Sequence, residues 1–543
     1  MGILTQVVGI GALTWLLWSL LRDYVSRSSL DNIPGPKPSS FTTGHFGEFM
    51  MSRDAWPFMR EISDKFNGVA KLQAVLGEKF LYISDPAAVY TMFVKEPTGF
   101  EHTSEFLTGN TLLFGSGLGS TSGDTHRKQR RMITPAFSLS HLRQLTPVFV
   151  HVAETLRNAI ATQVKDHPKA DVNVASWSSR AALEIVGQGG MGYSFDPLID
   201  TTPNEYANAL KNLMPTLFSI ALHWFFIPWS VFLGPPQFRR WLLDLYPNTN
   251  AQKLKVIVDT CWQKATSIVA DRKVALETGD EDAIQRVGGG KDIMSILLRA
   301  NMNASKEDRL PYEQLVAQVN TLVFAASDTT SNALSRVLHT LVIHSDAQER
   351  LRQEIRAFRE SGEELTYDKL IELPYLDAVC KETLRVYPTV LAFDRIALRD
   401  TVLPLHKPID DVHGNPITEI PITKGTLITV GIYTYNRRRD VWGEDADEWK
   451  PERWLSSLPE RARNTPSGSV FSNMMTFAAG PRSCIGFKYA ELELKTFLFF
   501  LIESFKFSQG ATEIIWNTSF VVFPSVSKES SKSEMPLRVE LVQ

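Results

Sequence analysis

The segment FAAGPRSCIG, residues 477–486, constrains this chain more than any other. Cys484 is one of only three cysteines in 543 residues, and it stands behind Pro481, between Gly480 and Gly486, two residues after Arg482. A cysteine that merely fills a core needs none of this apparatus. A thiolate that ligates a redox metal such as iron does: it must be held in a dry pocket with backbone N–H groups aimed at the sulfur. Glycines permit that close approach, because a Cβ would block it. Arg482 can pair with a carboxylate carried beside the metal, and Phe477 can shield the sulfur from water. Cys261 and Cys380 form no C-x-x-C pair with it or with each other, which argues against a disulfide scaffold or a cysteine zinc site and for a reducing compartment.

The N-terminus carries a second constraint. From Met1 to Leu21 no side chain is charged, and the first charge is Arg22. About twenty apolar residues rising about 1.5 Å each cover the hydrocarbon of a bilayer, and Trp15 and Trp18 lie where an aromatic belt would be. A cleaved signal peptide would want a basic start and a small-residue cleavage site, and neither is present. Residues 1–21 are therefore expected to form a transmembrane anchor. Arg22 and Arg27 follow it with no basic residue before it, so the positive-inside rule leaves the rest of the chain in the cytosol. Residues 22–40, basic and then proline-rich (Pro34, Pro36, Pro38), read as a semi-rigid stalk. A second uncharged run, Asn212 to Phe238, is rich in aromatics but interrupted by Pro215 and Pro228. It reads as an apolar lobe lying on the membrane beside a ligand entrance, with plain core or a second span as the alternatives.

Between these segments the chain is mainly helical. Apolar residues recur at three- and four-residue spacing in 152–164, 313–344 and 376–388, and short strand-like runs occur at 69–84, 425–433 and 535–543. Gly288-Gly289-Gly290-Lys291 lacks the Ser or Thr of a phosphate loop, and 115–120 ends in Ser120 where a dinucleotide fingerprint needs glycine. A net charge of −3 gives no general attraction to nucleic acid or anionic lipid.

Phe477, Gly480, Arg482, Cys484 and Gly486 together resemble, without a gap, the haem-ligand signature F-x-x-G-x-R-x-C-x-G of the cytochrome P-450 family. The resemblance extends over about residues 30 to 540 and brings companions in the family's order. Glu382 and Arg385 of KETLR, with Arg453 of WKPERW, match a buried ion-pair cluster that braces the haem-proximal side. Asp328 and Thr329 taken alone suit a turn or helix N-cap. In the family an acid–alcohol pair at this point relays protons to dioxygen at the haem. Ala326 departs from the usual glycine there, and its methyl is expected to narrow the oxygen groove or reduce helix distortion. Arg130 matches a propionate contact, His126 replaces the family's Trp as a hydrogen-bond donor, and Arg395 matches a third contact. Arg127, Lys128 and Arg131 are then left to face solvent, available to the acidic surface of a redox partner.

The resemblance implies a mainly α fold with small β-sheets: a single globular haem domain, residues 41–543, behind the anchor and stalk. It implies haem b with Cys484 as axial iron ligand, and hydroxylation of a lipophilic small molecule (terpenoid, steroid, fatty acyl or polycyclic aromatic) using O2. Electrons would come from NADPH through a separate reductase, with cytochrome b5 as a further donor, since no flavin or nicotinamide site is visible. Apolar segments at Phe106–Phe114, Phe324–Ala325 and Thr389–Phe393 are the expected pocket walls. The chain's texture resembles fungal microsomal members, which implies the endoplasmic reticulum membrane and secondary metabolism or xenobiotic oxidation. Two other classes compete: a haem-thiolate isomerase or dehydratase that needs no O2, and a non-enzymatic haem sensor or carrier. The Asp328–Thr329 pair speaks against the first.

Overall fold

The computed structural model describes residues 28–40, 42–49, 52–196, 198, 205–220, 223, 226–279 and 290–542. The expected anchor, 1–21, and the first part of the stalk lie outside the described residues. The described part of the stalk is docked on the body: Leu30 and Ile33 are buried, and the Pro34 carbonyl accepts from the Lys71 N–H at 2.9 Å.

Each of the three helical periodicities becomes a helix. We label the elements that frame the site: α1 (Ser104–Phe114), α2 (Gly123–Ile133), α3 (Leu139–Asp166), α4 (Val174–Ile185), α5 (Tyr312–Ile343), α6 (Pro374–Val386) and α7 (Phe487–Ser504). Side-chain caps fix several starts: Thr103 Oγ1 accepts from the Phe106 N–H before α1, and Ser138 Oγ from the His141 N–H before α3. Helix α5 is buried along every residue from Thr330 to Leu341, which is the pattern of a helix enclosed on all sides. One continuous apolar core, drawing on residues from Leu113 to Val539, joins α2 to α7 and makes the body one domain.

The expected strands also form. A five-stranded sheet is built from β1 (Val69–Gln73), β2 (Lys79–Ile83), β3 (Phe100–Glu101), β4 (Ala392–Ala397) and β5 (Leu427–Gly431), in the order β1-β2-β5-β4-β3. Strands β2 and β5 run parallel, and the other pairs antiparallel. The register sets Glu101 opposite Ile396, beside Arg395. This brings an acid and a base from distant parts of the sequence to one edge.

Among the described residues no helix is long and apolar enough to cross a membrane. The uncharged run near 212–238 is divided among the helix Glu205–Ser219, a 3-10 stretch Pro228–Leu233 and the helix Pro236–Leu245. Phe226, Trp229, Phe232, Leu233, Phe238, Trp241 and Leu245 are exposed there, Phe232 by 80%. The described part of this run is thus neither plain core nor one continuous helix.

Candidate cofactor site

The loop of Cys484 is shaped by two left-handed residues. The strand Met474–Ala479 pairs with Ser469–Phe471; Ala478 (φ 58°) within it and Gly480 (φ 64°) directly after it turn the chain. At Gly480 a Cβ would lie 2.0 Å from the Phe93 carbonyl oxygen, so only glycine fits. The Cys484 N–H donates to the Phe477 carbonyl at 2.9 Å, and α7 starts directly after Gly486. Cys484 therefore precedes a helix N-terminus, whose partial positive charge favours thiolate. Phe477 packs edge-on to Phe471 at 5.1 Å and tilted to Phe487 at 6.2 Å, forming an aromatic collar.

Cys484 is the exposed cysteine; Cys261 and Cys380 are buried. Burial nevertheless raises the pKa of Cys484, opposed by the Gly486 N–H donating to sulfur and by the charge of Arg130. The residue thus keeps a free surface although its thiol is desolvated. Burial pushes Cys261 up to about 12, so it stays an inert thiol.

A group of cationic and imidazole side chains gathers beside this sulfur. Arg130, on α2, donates to the Ser483 carbonyl at 2.8 Å and to its hydroxyl at 3.2 Å. Arg482 donates to both Glu101 oxygens at 2.7 Å and to the Thr121 carbonyl at 3.0 Å. Arg395 is buried against Phe393 and Phe93, and donates to His102 Nδ1 at 3.0 Å. Burial, with Arg482 beside it, pulls Arg395 down to about 10. His126 is lowered to about 4 by burial, Arg482 and Arg130, and His102 to about 2 by burial, Arg395 and Arg482. Both imidazoles are neutral at pH 7, and His102 Nδ1 is an acceptor for Arg395. The expected four, His126, Arg130, Arg395 and Arg482, thus share one field. Glu101 and His102 join them unforeseen, because their roles depend on strand β3 closing against β4.

Helix α5 carries the acid–alcohol pair. Burial raises Asp328 to about 6, and the Asn332 side-chain amide donates to its carbonyl at 2.8 Å. The Thr329 hydroxyl donates to the Ala325 carbonyl at 2.7 Å. With Ala326 in place, α5 stays α-helical throughout. The neighbouring Thr330 faces Glu493 of α7, a fully buried carboxyl whose pKa burial drives far upward, opposed by the Thr330 hydroxyl. Phe114 of α1 stacks on Phe324 of α5 with centroids 4.7 Å apart, and the Thr389 carbonyl accepts from the Val522 N–H at 2.8 Å. The first two expected pocket segments therefore meet.

Behind the cysteine loop, Glu382 and Arg385 of α6 have no solvent exposure and pair at 2.8 Å, while Arg453 reaches Glu382 at 3.4 Å. Of the remaining basic residues of α2, Arg127 and Arg131 are exposed and Lys128 is half-buried, but none is free. Arg127 pairs with Asp124, Arg131 with Asp308 at 3.0 Å, and Lys128 donates to the carbonyls of Glu307 and Arg309.

These residues fit a haem: a cysteine with a free surface, a backbone N–H on its sulfur, a glycine cradle and a cationic rim for two propionates. Fold and site together define a haem-thiolate protein of mainly helical build. The cytochrome P450 family profile matches residues 34–529, and the chain belongs to the cytochrome P450 family. It is similar to cytochrome P450 monooxygenase 81 of Postia placenta, 46% identical over 99% of this chain and 97% of that protein. A ganoderic acid synthetase of Ganoderma lucidum is 39% identical over 98% of each. A crystal structure of a cytochrome P450 at 19% identity superposes with a TM-score of 0.69, covering 94% of this chain and all of the other, and supports the fold. The chain is thus an oxidoreductase of the monooxygenase type, with a haem whose iron a cysteine thiolate binds.

Proposed function

We propose that this protein hydroxylates a lipophilic small molecule in fungal secondary metabolism, from the endoplasmic reticulum membrane, with electrons from NADPH through a separate reductase. The observation that carries the site assignment is the exposed Cys484 with the Gly486 N–H donated to its sulfur. When bound there, haem supplies the activation of dioxygen. Cys484 would bind the iron, with Arg130, Arg395, Arg482 and His126 holding the propionates. Asp328, with its pKa near 6, can take and give a proton close to neutrality. The Thr329 hydroxyl can turn from the Ala325 carbonyl and pass that proton on. Phe114 and Phe324 present an apolar wall that orients a lipophilic substrate and excludes water. The ganoderic acid synthetase among its relatives supports a place in secondary metabolism.

The decisive test is the carbon monoxide difference spectrum of the reduced protein beside Cys484→Ala. A strongly red-shifted Soret band that the variant lacks supports the assignment; no band in folded, haem-loaded wild type overturns it. NADPH consumption with added reductase then opens a substrate screen.

For the membrane, the apolar leader 1–21 and the exposed cluster around Trp229 and Phe232 support a two-point attachment, with the body in the cytosol. Trp229→Ser with Phe232→Ser should weaken binding of leader-deleted protein to lipid vesicles; unchanged flotation would remove the lobe from the reading. Glycosylation at Asn303, the sole N-x-[ST] site besides the buried Asn517, would overturn the topology.

A further inference from the structure

Away from the cysteine loop, α5 carries Arg336, about two turns beyond Asp328. Only 8% of this residue is exposed, and among the described residues its guanidinium has neither a hydrogen-bond acceptor nor an ion-pair partner. Two rings enclose it: its Cζ lies 3.5 Å from the Trp516 centroid and 4.5 Å from that of Tyr387. The nearby charge it feels is a second cation, Arg437, and burial lowers its pKa to about 9. Rings compensate part of the lost hydration of a guanidinium, but they accept no N–H bonds in its plane.

Arg336 lines a cavity of ≈ 260 Å³ with Arg53, Arg60, Arg437, Lys528 and one carboxylate, Asp54. None of the residues assigned to the cofactor lines it. Its other charges have partners at the rim. Asp54 pairs with Lys528 at 3.2 Å, and Arg53 donates to the Lys528 and Ser530 carbonyls. Arg60 reaches the Tyr433 hydroxyl at 3.4 Å, while Arg437 donates to the Val386 carbonyl and to Asp447 at 3.1 Å. Five cations thus face one carboxylate in a space also walled by Trp56, Tyr387, Tyr433 and Trp516. A monocarboxylate would leave most of that charge unbalanced. A phosphate-type group offers two negative charges and several acceptor oxygens, matching the planar donor fork of arginine.

We propose that this cleft is a binding site for a phosphate-type oxyanion, borne by a lipid headgroup or by a soluble molecule, with Arg336 at its centre. Arg53, Arg60, Arg437 and Lys528 supply the field, and the rings accept the apolar part of the ligand. The site is independent of the cofactor assignment, since the carbon monoxide spectrum of an Arg336 variant should match wild type.

The test uses the haem-loaded full chain in detergent. Inorganic phosphate should raise the melting temperature saturably beyond sodium chloride at matched ionic strength, and Arg336→Gln should weaken this binding by about tenfold or more. Without phosphate, Arg336→Gln should be at least as stable as wild type, because it removes a buried unpaired cation. If free phosphate has no effect but vesicles of phosphatidylcholine with phosphatidic acid stabilise wild type and not the variant, the anion is lipid-borne. No stabilisation by either probe, or the same stabilisation in Arg336→Gln, overturns the proposal. Should Arg336→Gln fail to fold, Arg53→Gln with Lys528→Gln must weaken binding several-fold; unchanged affinity overturns it equally.

Discussion

Glu382 is the side chain whose loss should be felt most clearly without touching the cofactor. Its carboxylate accepts from Arg385 Nε and Nη2 at 2.8 Å, the Trp454 indole at 2.9 Å and the Lys450 N–H at 3.0 Å. Arg385 in turn donates to the carbonyls of Asn436 (3.0 Å), Ala446 (2.6 Å) and Glu448 (3.0 Å), stapling α6 to the segment that leads toward the cysteine loop. Glu382→Ala leaves a guanidinium with no solvent exposure and no bidentate counter-charge, which costs about 3–5 kcal/mol. With an unfolding entropy of about 1 kcal/mol/K for a domain of this size, that lowers the melting temperature by about 3–5 °C. Calorimetry at one fixed scan rate, with haem content measured in parallel, reads it directly. Glu382→Gln should fall between the two. The double variant Glu382→Leu with Arg385→Met should recover most of the loss, because removing both charges strands neither. A Glu382→Ala protein within about 1 °C of wild type, with full haem content, would refute the reasoning.

Three further outcomes follow from the geometry. Burial raises Asp328 to about 6 from the ordinary 3.8, so the folded state holds its proton more tightly than the unfolded chain. Stability therefore falls as pH rises through about 4 to 6 and stays reduced above that window. Asp328→Asn should melt higher than wild type at about pH 7.5 and alike at about pH 3.5, while its turnover drops and loses the inflection near pH 6; a less stable variant at neutral pH contradicts this. Gly480→Ala should fail to retain haem, because its Cβ would sit 2.0 Å from the Phe93 carbonyl; normal haem content in the purified variant would count against the cradle. Ala478, held at φ 58°, should tolerate glycine with a gain of about 0.5–1 kcal/mol by calorimetry, and a loss would show that no strain resides there.

What the sequence disclosed was local. The cysteine loop was legible because its glycines, proline and arginine act within ten residues, and the helices because their apolar period is short-range. Glu382 and Arg385 stand three apart on one helix and were equally readable. The partners of Arg482 and Arg395 were not: Glu101 and His102 lie 381 and 293 residues away and meet them only through the register of β3 on β4. The basic face of α2 misled in part, since the 305–309 turn, invisible in any pattern, engages Lys128 and Arg131. Arg336 gave no signal either, because its neighbours arrive from residues 53, 387 and 516.

The apolar lobe between Phe226 and Tyr246 decides how this protein must be handled. Deleting the leader removes its most obvious greasy segment but leaves Trp229, Phe232, Trp241 and Leu245 in contact with solvent. Such shortened protein has a second adhesive face of its own, so it should clump, the more so in kosmotropic salts, and demand surfactant throughout purification. Polar replacements in that lobe, rather than further trimming of the chain, are the route to a monodisperse preparation.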